Sequence, residues 1–326
     1  MGQEEKDAAL RIIESGQLSQ GSEVENLENE FCDYLGIPRG LAVAVSSGTS
    51  ALFLSLLSLD ANGKTVSIPG YTCSALRNAA AMASATTFLI DSKEYSPNMN
   101  LFEARHADIS IVPHMYGVPQ EIPNQKTLII EDCAQALGAT VHGIPAGLQG
   151  DIGVYSFYAT KLMTAGGQGG MIVSRDCSII DFLKDYRCFD QRKDEKYRFN
   201  FQMTDLQAAI GRVQLRKLPG FLKRREEIYH KYKEAGFPLL DSNESIAPVR
   251  FRAILRTEKQ HELINALKQK NIKSVIPLQD CELLGSKANL PHAYQWTQNT
   301  VSLPLYPTLT VEEIDRVISV VSAVLQ

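Results

Sequence analysis

Short apolar runs recur through the first half of the chain, and helical or turn segments separate them. Each run has four or five residues, and runs of this length that are apolar at consecutive positions predict strands buried on both faces. Strands that alternate with helices predict an α/β domain whose sheet is mostly parallel and covered by helices on both sides. The ligand site of such a sheet lies beyond the carboxyl ends of its strands. The runs occupy positions 41–45, 65–68, 86–90, 109–113, 127–130, 153–157 and 170–173.

The segments around this pattern predict helices and a second, smaller domain. Capping boxes, in which a hydroxyl residue precedes Glu or Gln by three positions, predict helix starts at Ser22, Thr204 and Thr310. Pro219 predicts that the helix after Thr204 ends near residue 215 and that a separate charged helix follows. Strands near 249–255 and 301–303, with helices between and after them, are typical of an α+β domain. We therefore predict an N-terminal arm and large α/β domain at 1–215, and a smaller domain at 216–326.

Composition excludes several classes of function. The 33 Lys and Arg against 37 Asp and Glu leave a net charge of -4, so nucleic acid is not an expected partner. No stretch approaches the roughly 18 continuous apolar residues of a membrane span. The six cysteines include no Cys-x-x-Cys pair and the histidines are dispersed, which predicts neither a disulfide framework nor a metal site. We expect a cytoplasmic protein without a metal ion.

Lys161 is the first candidate for chemistry. Most lysines are solvated surface charges, but Lys161 follows an apolar strand and precedes a glycine-rich turn. Glycines leave room for a ligand or another backbone to approach closely, and a lysine amine in such a place can bind an aldehyde cofactor covalently. The glycines do not have the Gly-x-Gly-x-x-Gly spacing of a dinucleotide site. They stand at positions 166, 167, 169 and 170.

Two further segments also follow predicted strands. At 45–52 a strand ends in Ser, Gly and Thr and a helix begins, so free N–H groups there could bind a phosphate; an ordinary Ser or Thr N-cap is the alternative. At 129–138, Asp132 follows Glu131 at the end of a strand. A carboxylate in that place could bind a protonated ring nitrogen, whereas a capping Asp is equally consistent with the segment alone.

Taken in this order along the chain, these segments resemble the DegT/DnrJ/EryC1/StrS family of pyridoxal-phosphate aminotransferases, which has fold type I. The resemblance covers nearly the whole chain. It implies an enzyme that moves an amino group, from glutamate or glutamine, to a keto group on a sugar, a nucleotide sugar or a related cyclic ketone. The matching motifs are Ser-Gly-Thr-Ser-Ala-Leu at 47–52, Ile-Pro-Gly-Tyr-Thr at 68–72, His-Met-Tyr-Gly at 114–117, Glu-Asp-Cys-Ala-Gln-Ala-Leu-Gly-Ala at 131–139, Gly-Asp-Ile-Gly-Val-Tyr-Ser-Phe-Tyr-Ala-Thr-Lys at 150–161, residues 200–209, and Ser-Leu-Pro-Leu-Tyr-Pro at 302–307.

The resemblance also implies roles for individual residues. Lys161 corresponds to the lysine that binds pyridoxal 5'-phosphate and later moves the proton, and Asp132 to the carboxylate that pairs with the ring nitrogen. Gln135 corresponds to a residue near the phenolic oxygen. Asn200 corresponds to an asparagine that reaches the phosphate of a neighbouring subunit, which implies a homodimer with shared active sites. The phosphate-binding positions correspond to Gly48, Thr49, Ser50 and Ser156.

Two departures from the family's pattern bear on the substrate and the cofactor. Cys73 stands where family members usually stack an aromatic ring on the cofactor, so stacking would be weaker or would come from another residue such as Tyr71. Residues 275–280 replace a histidine-rich stretch of many nucleotide-sugar members, which puts a nucleotide-linked substrate in doubt. The alternative hypothesis is a non-catalytic regulator or assembly protein that keeps the fold. His114, after an apolar strand, is a candidate for the wall of the substrate pocket, whereas a core or loop histidine is the more common case.

Overall fold

A computed structural model describes residues 1–326 and contains ten α-helices, fourteen strands and two short 3-10 helices. The helices are α1 (Gln3–Ser15), α2 (Ser22–Leu35), α3 (Gly48–Ser58), α4 (Ala75–Met82), α5 (Leu101–Ala104), α6 (Cys177–Arg187), α7 (Asp205–Glu234), α8 (Gln260–Gln269), α9 (Pro291–Gln298) and α10 (Val311–Leu325). The strands are β1 (Ala42–Val45), β2 (Thr65–Pro69), β3 (Thr86–Ile90), β4 (Ser92–Lys93), β5 (Ser96–Met99), β6 (Ile109–Pro113), β7 (Leu128–Asp132), β8 (Thr140–Val141), β9 (Ile144–Pro145), β10 (Ile152–Ser156), β11 (Gly170–Val173), β12 (Ile246–Ala247), β13 (Ala253–Arg256) and β14 (Thr300–Leu303). The 3-10 helices are Met115–Gly117 and Asp280–Glu282.

The central sheet has seven strands in the order β1-β11-β10-β7-β6-β2-β3. Its pairs are parallel from β10 through β7, β6 and β2 to β3, whereas β11 runs antiparallel to both of its neighbours. All seven predicted apolar runs belong to this sheet, which confirms the predicted α/β fold. Every strand except β11 therefore ends at the same edge of the sheet.

Apolar layers cover both faces of the sheet, as expected for strands that are buried throughout. Along β1, Ala42 and Ala44 face a core that includes α2 and α7. Val43 and Val45 face the opposite core, which includes α3, α4 and α6. At this edge strand, the buried Glu28 carboxylate accepts the Ala44 N–H, at 2.8 Å, and pairs with Arg187. Polar groups of the edge are thereby satisfied and closed to pairing with another chain.

The predicted capping boxes have different outcomes. Thr204 caps α7, since its hydroxyl accepts the Gln207 N–H at 3.2 Å, and Thr310 caps α10 in the same way. The predicted helix start at Ser22 is confirmed, since α2 runs from Ser22 to Leu35, but the capping role is wrong: Gly21 is the N-cap, and no side chain of the same segment caps α2. The carboxylate of Asp205 instead accepts the N–H groups of Gly21 and Val24, at 2.8 and 3.1 Å. Tertiary structure brings this cap from a position 184 residues away in the chain.

Helix α7 is continuous through Pro219, although the sequence predicts a break there. A proline inside a helix costs about 3 kcal/mol, but each half of α7 is held by a different core. The first half packs against α1 and α2, and the second half contributes Ile228, Tyr229 and Tyr232 to the C-terminal core. Packing on both sides of Pro219 therefore keeps α7 a single continuous helix. The predicted domain boundary at 215 and 216 falls within α7 and stays a prediction.

The C-terminal core joins the second half of α7 to β13, β14, α8 and α10. A smaller apolar cluster, with Tyr71, Tyr116, Ile254 and Trp296, links this region to loops at the carboxyl edge of the large sheet. The C-terminal half therefore lies against the edge at which a ligand site is expected. No helix of the structure is long and apolar enough to cross a membrane.

Candidate active site

Three strands of the large sheet deliver candidate residues to one place. Strands β7 and β10 are parallel neighbours and end in Asp132 and Ser156. Strand β1 ends in Val45, and Gly170 of β11 stands in register with both Val45 and Ser156. The segment after β1 therefore lies one strand away from Ser156. The parallel arrangement, which the apolar runs predict, produces this convergence.

The start of α3 is compatible with both interpretations of its sequence, an ordinary N-cap and a phosphate-binding site. Ser47 is the N-cap, and its hydroxyl accepts the Ser50 N–H at 3.0 Å. The Ser50 hydroxyl is hydrogen-bonded to the hydroxyls of Ser47 and Ser46, at 2.8 and 3.0 Å. The N–H groups of Gly48 and Thr49 precede the first intrahelical hydrogen bond and are available to an anion. The N-cap leaves room for an anion site here because the two would use different N–H groups.

Close packing joins this helix start to the end of β10. A Cβ atom on Gly48 would lie 2.9 Å from the Cβ of Ser156, so only glycine fits there without displacement. A Cβ on Gly170 would lie 2.5 Å from the carbonyl oxygen of Ser47. These two glycines allow the helix start, Ser156 and β11 to pack closely together in a group that we call the cradle. The structure thus brings Gly48, Ser50 and Ser156 together.

Asp132 is buried, and one of its two carboxylate oxygens has no hydrogen-bond partner. Its Oδ1 atom accepts the Ala134 N–H at 3.0 Å, and the side chain has no other hydrogen bond within the chain. Burial raises the pKa of Asp132, while the positive charge of nearby Lys161 acts in the opposite direction. No helix directly follows β7, so Asp132 caps none; its Oδ1 bond to the Ala134 N–H lies at the start of a turn. The second oxygen remains free to accept a hydrogen bond from a cationic ligand, which would stabilise the charged carboxylate.

Lys161 lies on a closed turn between β10 and β11. Its backbone N–H donates to the Tyr158 carbonyl at 2.9 Å, and the Phe157 N–H donates to the Gly169 carbonyl at 2.9 Å. The Lys161 Nζ atom has no hydrogen bond and no carboxylate within salt-bridge distance. It lies 5.5 Å from the ring centroid of Phe251. An amine without an ionic partner is free to react or to carry a proton.

Cys73 belongs to the same cleft. It keeps contact with solvent, but crowding by protein atoms raises the pKa of its thiol, and the negative charge of Asp132 raises it further. Lys161 is close enough to act on the same thiol in the opposite direction. The structure therefore places Cys73, Asp132 and Lys161 together. A thiol with a raised pKa is protonated and unreactive at neutral pH.

Gln135 and Asn200 each form a hydrogen bond with a backbone N–H group, and none with Lys161. The side-chain oxygen of Gln135 accepts the Tyr116 N–H at 2.8 Å, which leaves its amide N–H groups available. Asn200 is exposed, and its side-chain oxygen accepts the Gln202 N–H at 3.0 Å. No hydrogen bond joins Asn200 to the cradle of the same chain. Its predicted role toward a neighbouring subunit stays a prediction.

For His114 the core alternative holds, and Tyr71 does not supply the aromatic ring that Cys73 lacks. His114 is fully buried, and its ring donates to Glu131 at 2.8 Å instead of lining an open pocket. Tyr71 is also fully buried, and its hydroxyl is hydrogen-bonded to that of Tyr116 at 2.7 Å. Tyr71 therefore presents no ring to the cleft in place of the aromatic residue that is absent at Cys73.

Phe251 and Glu131 are residues whose importance the sequence analysis missed. Phe251 is the side chain whose ring lies near the Lys161 amine. The sequence does contain a signal that could have found it, because Phe251 is an aromatic residue between two arginines in an otherwise apolar run. Glu131 holds the loop that leads into β10, because its carboxylate accepts N–H groups from Gly147, Gln149 and Gly150.

The observed arrangement fits pyridoxal phosphate. The cradle at Gly48 excludes a side chain but accepts an anion, the spare oxygen of Asp132 suits a cationic ring nitrogen, and the Lys161 amine is unpaired. These features meet at the carboxyl edge of a mostly parallel sheet. The fold and the site together define a pyridoxal-phosphate-dependent transferase.

Comparison with known proteins gives the family. The chain belongs to the DegT/DnrJ/EryC1/StrS aminotransferase family, whose sequence profile matches residues 1–322. The chain is 27% identical to dTDP-4-dehydro-2,3,6-trideoxy-D-glucose 4-aminotransferase of Saccharopolyspora spinosa, over 97% of this chain and 93% of that protein. It is 28% identical to GDP-perosamine synthase of Escherichia coli O157:H7, over 95% and 92% of the two chains. The crystal structure of DesV from S. venezuelae superposes with a TM-score of 0.90 at 26% identity, over 99% and 95% of the two chains.

These findings confirm the predicted family, the enzyme class and the cofactor. The protein is an aminotransferase of a pyridoxal-phosphate-dependent family. The alternative of a non-catalytic relative has no support in the site, where the lysine, the carboxylate and the cradle are all present.

Proposed function

We propose that this enzyme transfers an amino group from glutamate or glutamine to a keto group on a sugar, a nucleotide-linked sugar or a related cyclic ketone. The observation that carries the proposal is the unpaired Lys161 amine, in a cleft that also contains Asp132 and Phe251. The names of the relatives support a sugar substrate, because one aminates a dTDP-linked deoxyglucose derivative and another is a GDP-perosamine synthase.

Each proposed site residue has a physical task. Pyridoxal phosphate, when bound, supplies an electron sink for the carbon that loses its proton. Lys161 binds the cofactor through Nζ and afterwards uses the same amine to move the proton of the substrate carbon. Asp132 keeps a proton on the ring nitrogen through its free oxygen. Gln135 offers amide N–H groups near the phenolic oxygen, and Cys73 contacts the ring. The phosphate is held by Gly48, Thr49, Ser50 and Ser156.

The proposal includes a homodimer in which Asn200 of each chain completes the neighbouring site. Its support within the chain is the exposure of Asn200, Tyr197 and Phe199 in one segment, with the two aromatic residues 96% and 62% exposed. Exposed aromatic residues that lie close together are typical of a contact surface. We also propose a reducing, cytoplasmic setting, because all six cysteines are unpaired in the structure.

The test is a pair of spectroscopic measurements on Lys161→Ala and on a control variant, Lys268→Ala, which removes an exposed lysine of α8. We expect wild type and Lys268→Ala to show a cofactor absorbance band that changes when L-glutamate is added. Lys161→Ala should keep the circular dichroism spectrum of wild type and lose the glutamate half-reaction. A normal half-reaction rate in Lys161→Ala would refute the assignment.

A further inference from the structure

A second cleft lies beside the Lys161 turn and is lined by cations. It has a volume of about 410 Å³, and Thr160 and Phe251 connect it to the surroundings of Lys161. Arg225, Arg252 and Lys273 line it, and no aspartate or glutamate does. The chain as a whole carries more acidic than basic residues. A cleft with three cations and no carboxylate is therefore a local feature that composition does not explain.

Arg225 is the most buried of these cations. Only 8% of the residue is exposed, and its Nη1 atom donates to three carbonyl groups, those of Arg250, Phe251 and Leu305. Its Nε atom is buried without a partner, and no carboxylate neutralises the guanidinium. Burial and the positive charge of Arg252 lower the pKa of Arg225 to about 10. A buried cation that faces a second cation is unfavourable unless an anion approaches.

The other polar groups of the cleft are also available. Arg252 donates from Nη1 to the Ser302 hydroxyl at 3.1 Å and forms no ion pair. Lys273 is exposed and has no ionic partner. The Ser274 hydroxyl lines the cleft and is buried without a hydrogen-bond partner. A buried polar group without a partner is uncommon in proteins and calls for an explanation such as a bound ligand.

We propose that Arg252, Lys273 and Ser274, with Arg225 behind them, form a subsite that binds an oxyanion of the substrate. The Arg252 guanidinium carbon lies 5.6 Å from the Phe251 ring centroid, and Lys161 Nζ lies 5.5 Å from the same point. The two cationic groups are thus at most about 11 Å apart, within the length of one substrate molecule. The oxyanion is a phosphate of the sugar acceptor or a carboxylate of the amino donor. This assignment rests on the proposed function, which places substrate at Lys161.

Calorimetric titration of inorganic pyrophosphate into the purified holoenzyme tests the subsite. Loading the enzyme with cofactor fills the cradle at Gly48, so that binding there does not contribute. We expect Arg252→Met to weaken pyrophosphate binding by about tenfold to a hundredfold, as for the loss of a charge-assisted hydrogen bond. Arg256→Met removes the same charge at the end of β13, the strand that directly follows Arg252, but Arg256 lies over Trp296 and outside the cleft. Its affinity should equal that of wild type.

Absence of pyrophosphate binding to wild type, or equal binding to wild type and Arg252→Met, would overturn the subsite. Arg252→Lys should recover part of the affinity, since it restores charge without the planar fork. These binding measurements do not depend on turnover. A failure of the proposed aminotransfer at Lys161 would therefore be seen separately, as loss of the glutamate half-reaction with pyrophosphate binding intact.

A second arm identifies the group that occupies the subsite. The rate of the half-reaction is measured against L-glutamate concentration in wild type, Arg252→Met and Arg256→Met. An increase in the apparent KM for glutamate in Arg252→Met alone assigns the subsite to the donor carboxylate. An unchanged KM together with weakened pyrophosphate binding assigns it to a phosphate of the acceptor. Either result supports an oxyanion subsite.

Discussion

Substitution of Glu131 by glutamine tests how much the buried Glu131 carboxylate stabilises the segments around the site. The carboxylate is fully buried and accepts five hydrogen bonds, of which the longest, at 3.5 Å, comes from the Gln149 side-chain amide. Its Oε1 atom accepts the N–H groups of Gln149 and Gly150, both at 2.7 Å. Its Oε2 atom accepts the Gly147 N–H at 2.9 Å and the His114 Nε2–H at 2.8 Å. These bonds fix the end of β6 and the loop before β10, which lie beside β7 and its terminal residue Asp132.

The magnitude follows from the geometry of this carboxylate. A glutamine amide keeps one acceptor oxygen and places an NH2 group where the other oxygen stood, opposite two N–H donors. Two buried donors then lose their acceptor, at about 1 to 3 kcal/mol each. We expect Glu131→Gln to lower the free energy of unfolding by about 2 to 6 kcal/mol. The tautomer of His114 cannot relieve this loss, because its Nδ1 already accepts the Gln120 N–H at 3.3 Å.

The pKa of Glu131 determines how the stability difference between wild type and Glu131→Gln changes with pH. Burial raises the pKa of Glu131, but the hydrogen bond from His114 and those from the backbone N–H groups outweigh burial and hold the pKa below its usual value. A depressed pKa in the folded state contributes stability above the unfolded pKa, and this contribution is lost as the pH falls through the folded pKa. The difference between wild type and Glu131→Gln should therefore be constant near neutral pH and shrink below about pH 4.5.

Equilibrium urea unfolding between pH 7 and pH 4, with cofactor in constant excess, measures this difference. Glu121→Gln is the matched control, since Glu121 is 66% exposed and lies 3.5 Å from an equally accessible His142. The control should change stability by no more than about 0.5 kcal/mol. A loss below about 1 kcal/mol in Glu131→Gln, or a difference that grows as the pH falls, would refute the reasoning.

Two further substitutions probe the cradle and Asp132, the residue that would pair with the ring nitrogen. Gly48→Ala places a Cβ 2.9 Å from that of Ser156, so we expect about tenfold weaker cofactor binding in equilibrium titration. The control is Gly220→Ala, whose Cβ meets nothing within 4 Å and which should bind the cofactor as wild type does. Equal affinities in the two variants would contradict the cradle. Asp132→Asn keeps an acceptor for the Ala134 N–H but removes the charge, so the rate of the glutamate half-reaction should fall about 100-fold or more in stopped-flow measurements. An undiminished rate would show that Asp132 does not protonate the ring.

The sheet was predictable because a buried parallel strand leaves a local signal. Every predicted run lies within one or two residues of an observed strand, and β6 matches at both ends. The antiparallel direction of β11 was not predicted, because an apolar run in the sequence does not show whether its strand runs parallel or antiparallel to its neighbours. The β4 and β5 hairpin was missed because Ser92–Lys93 and Ser96–Met99 are short and partly polar. Pro219 misled for a related reason: its local preference is outweighed by packing that the sequence does not display.

The chemistry was predictable where it is encoded in contiguous segments. Asp132, Ser156 and Lys161 each stand at or just after the end of a strand, and parallel pairing brings such positions together. Groups contributed by distant elements were not predictable in this way. The cap of α2 by Asp205 and the cations of the second cleft depend on how the C-terminal half packs on the large sheet. A motif within one segment carries no information about that packing.

Arg225 shows how the two clefts depend on each other. Its Nη1 donates to the carbonyl of Phe251 at 3.2 Å, and the Phe251 N–H in turn donates to the Val249 carbonyl at 3.0 Å. The backbone that carries the ring beside Lys161 is therefore held by the same guanidinium that places positive charge behind Arg252. Because Cys73 provides no aromatic surface, Phe251 is the ring that the Lys161 amine meets. Binding of an oxyanion at Arg252 would draw on the charge of Arg225 and so stabilise the arrangement that positions this ring.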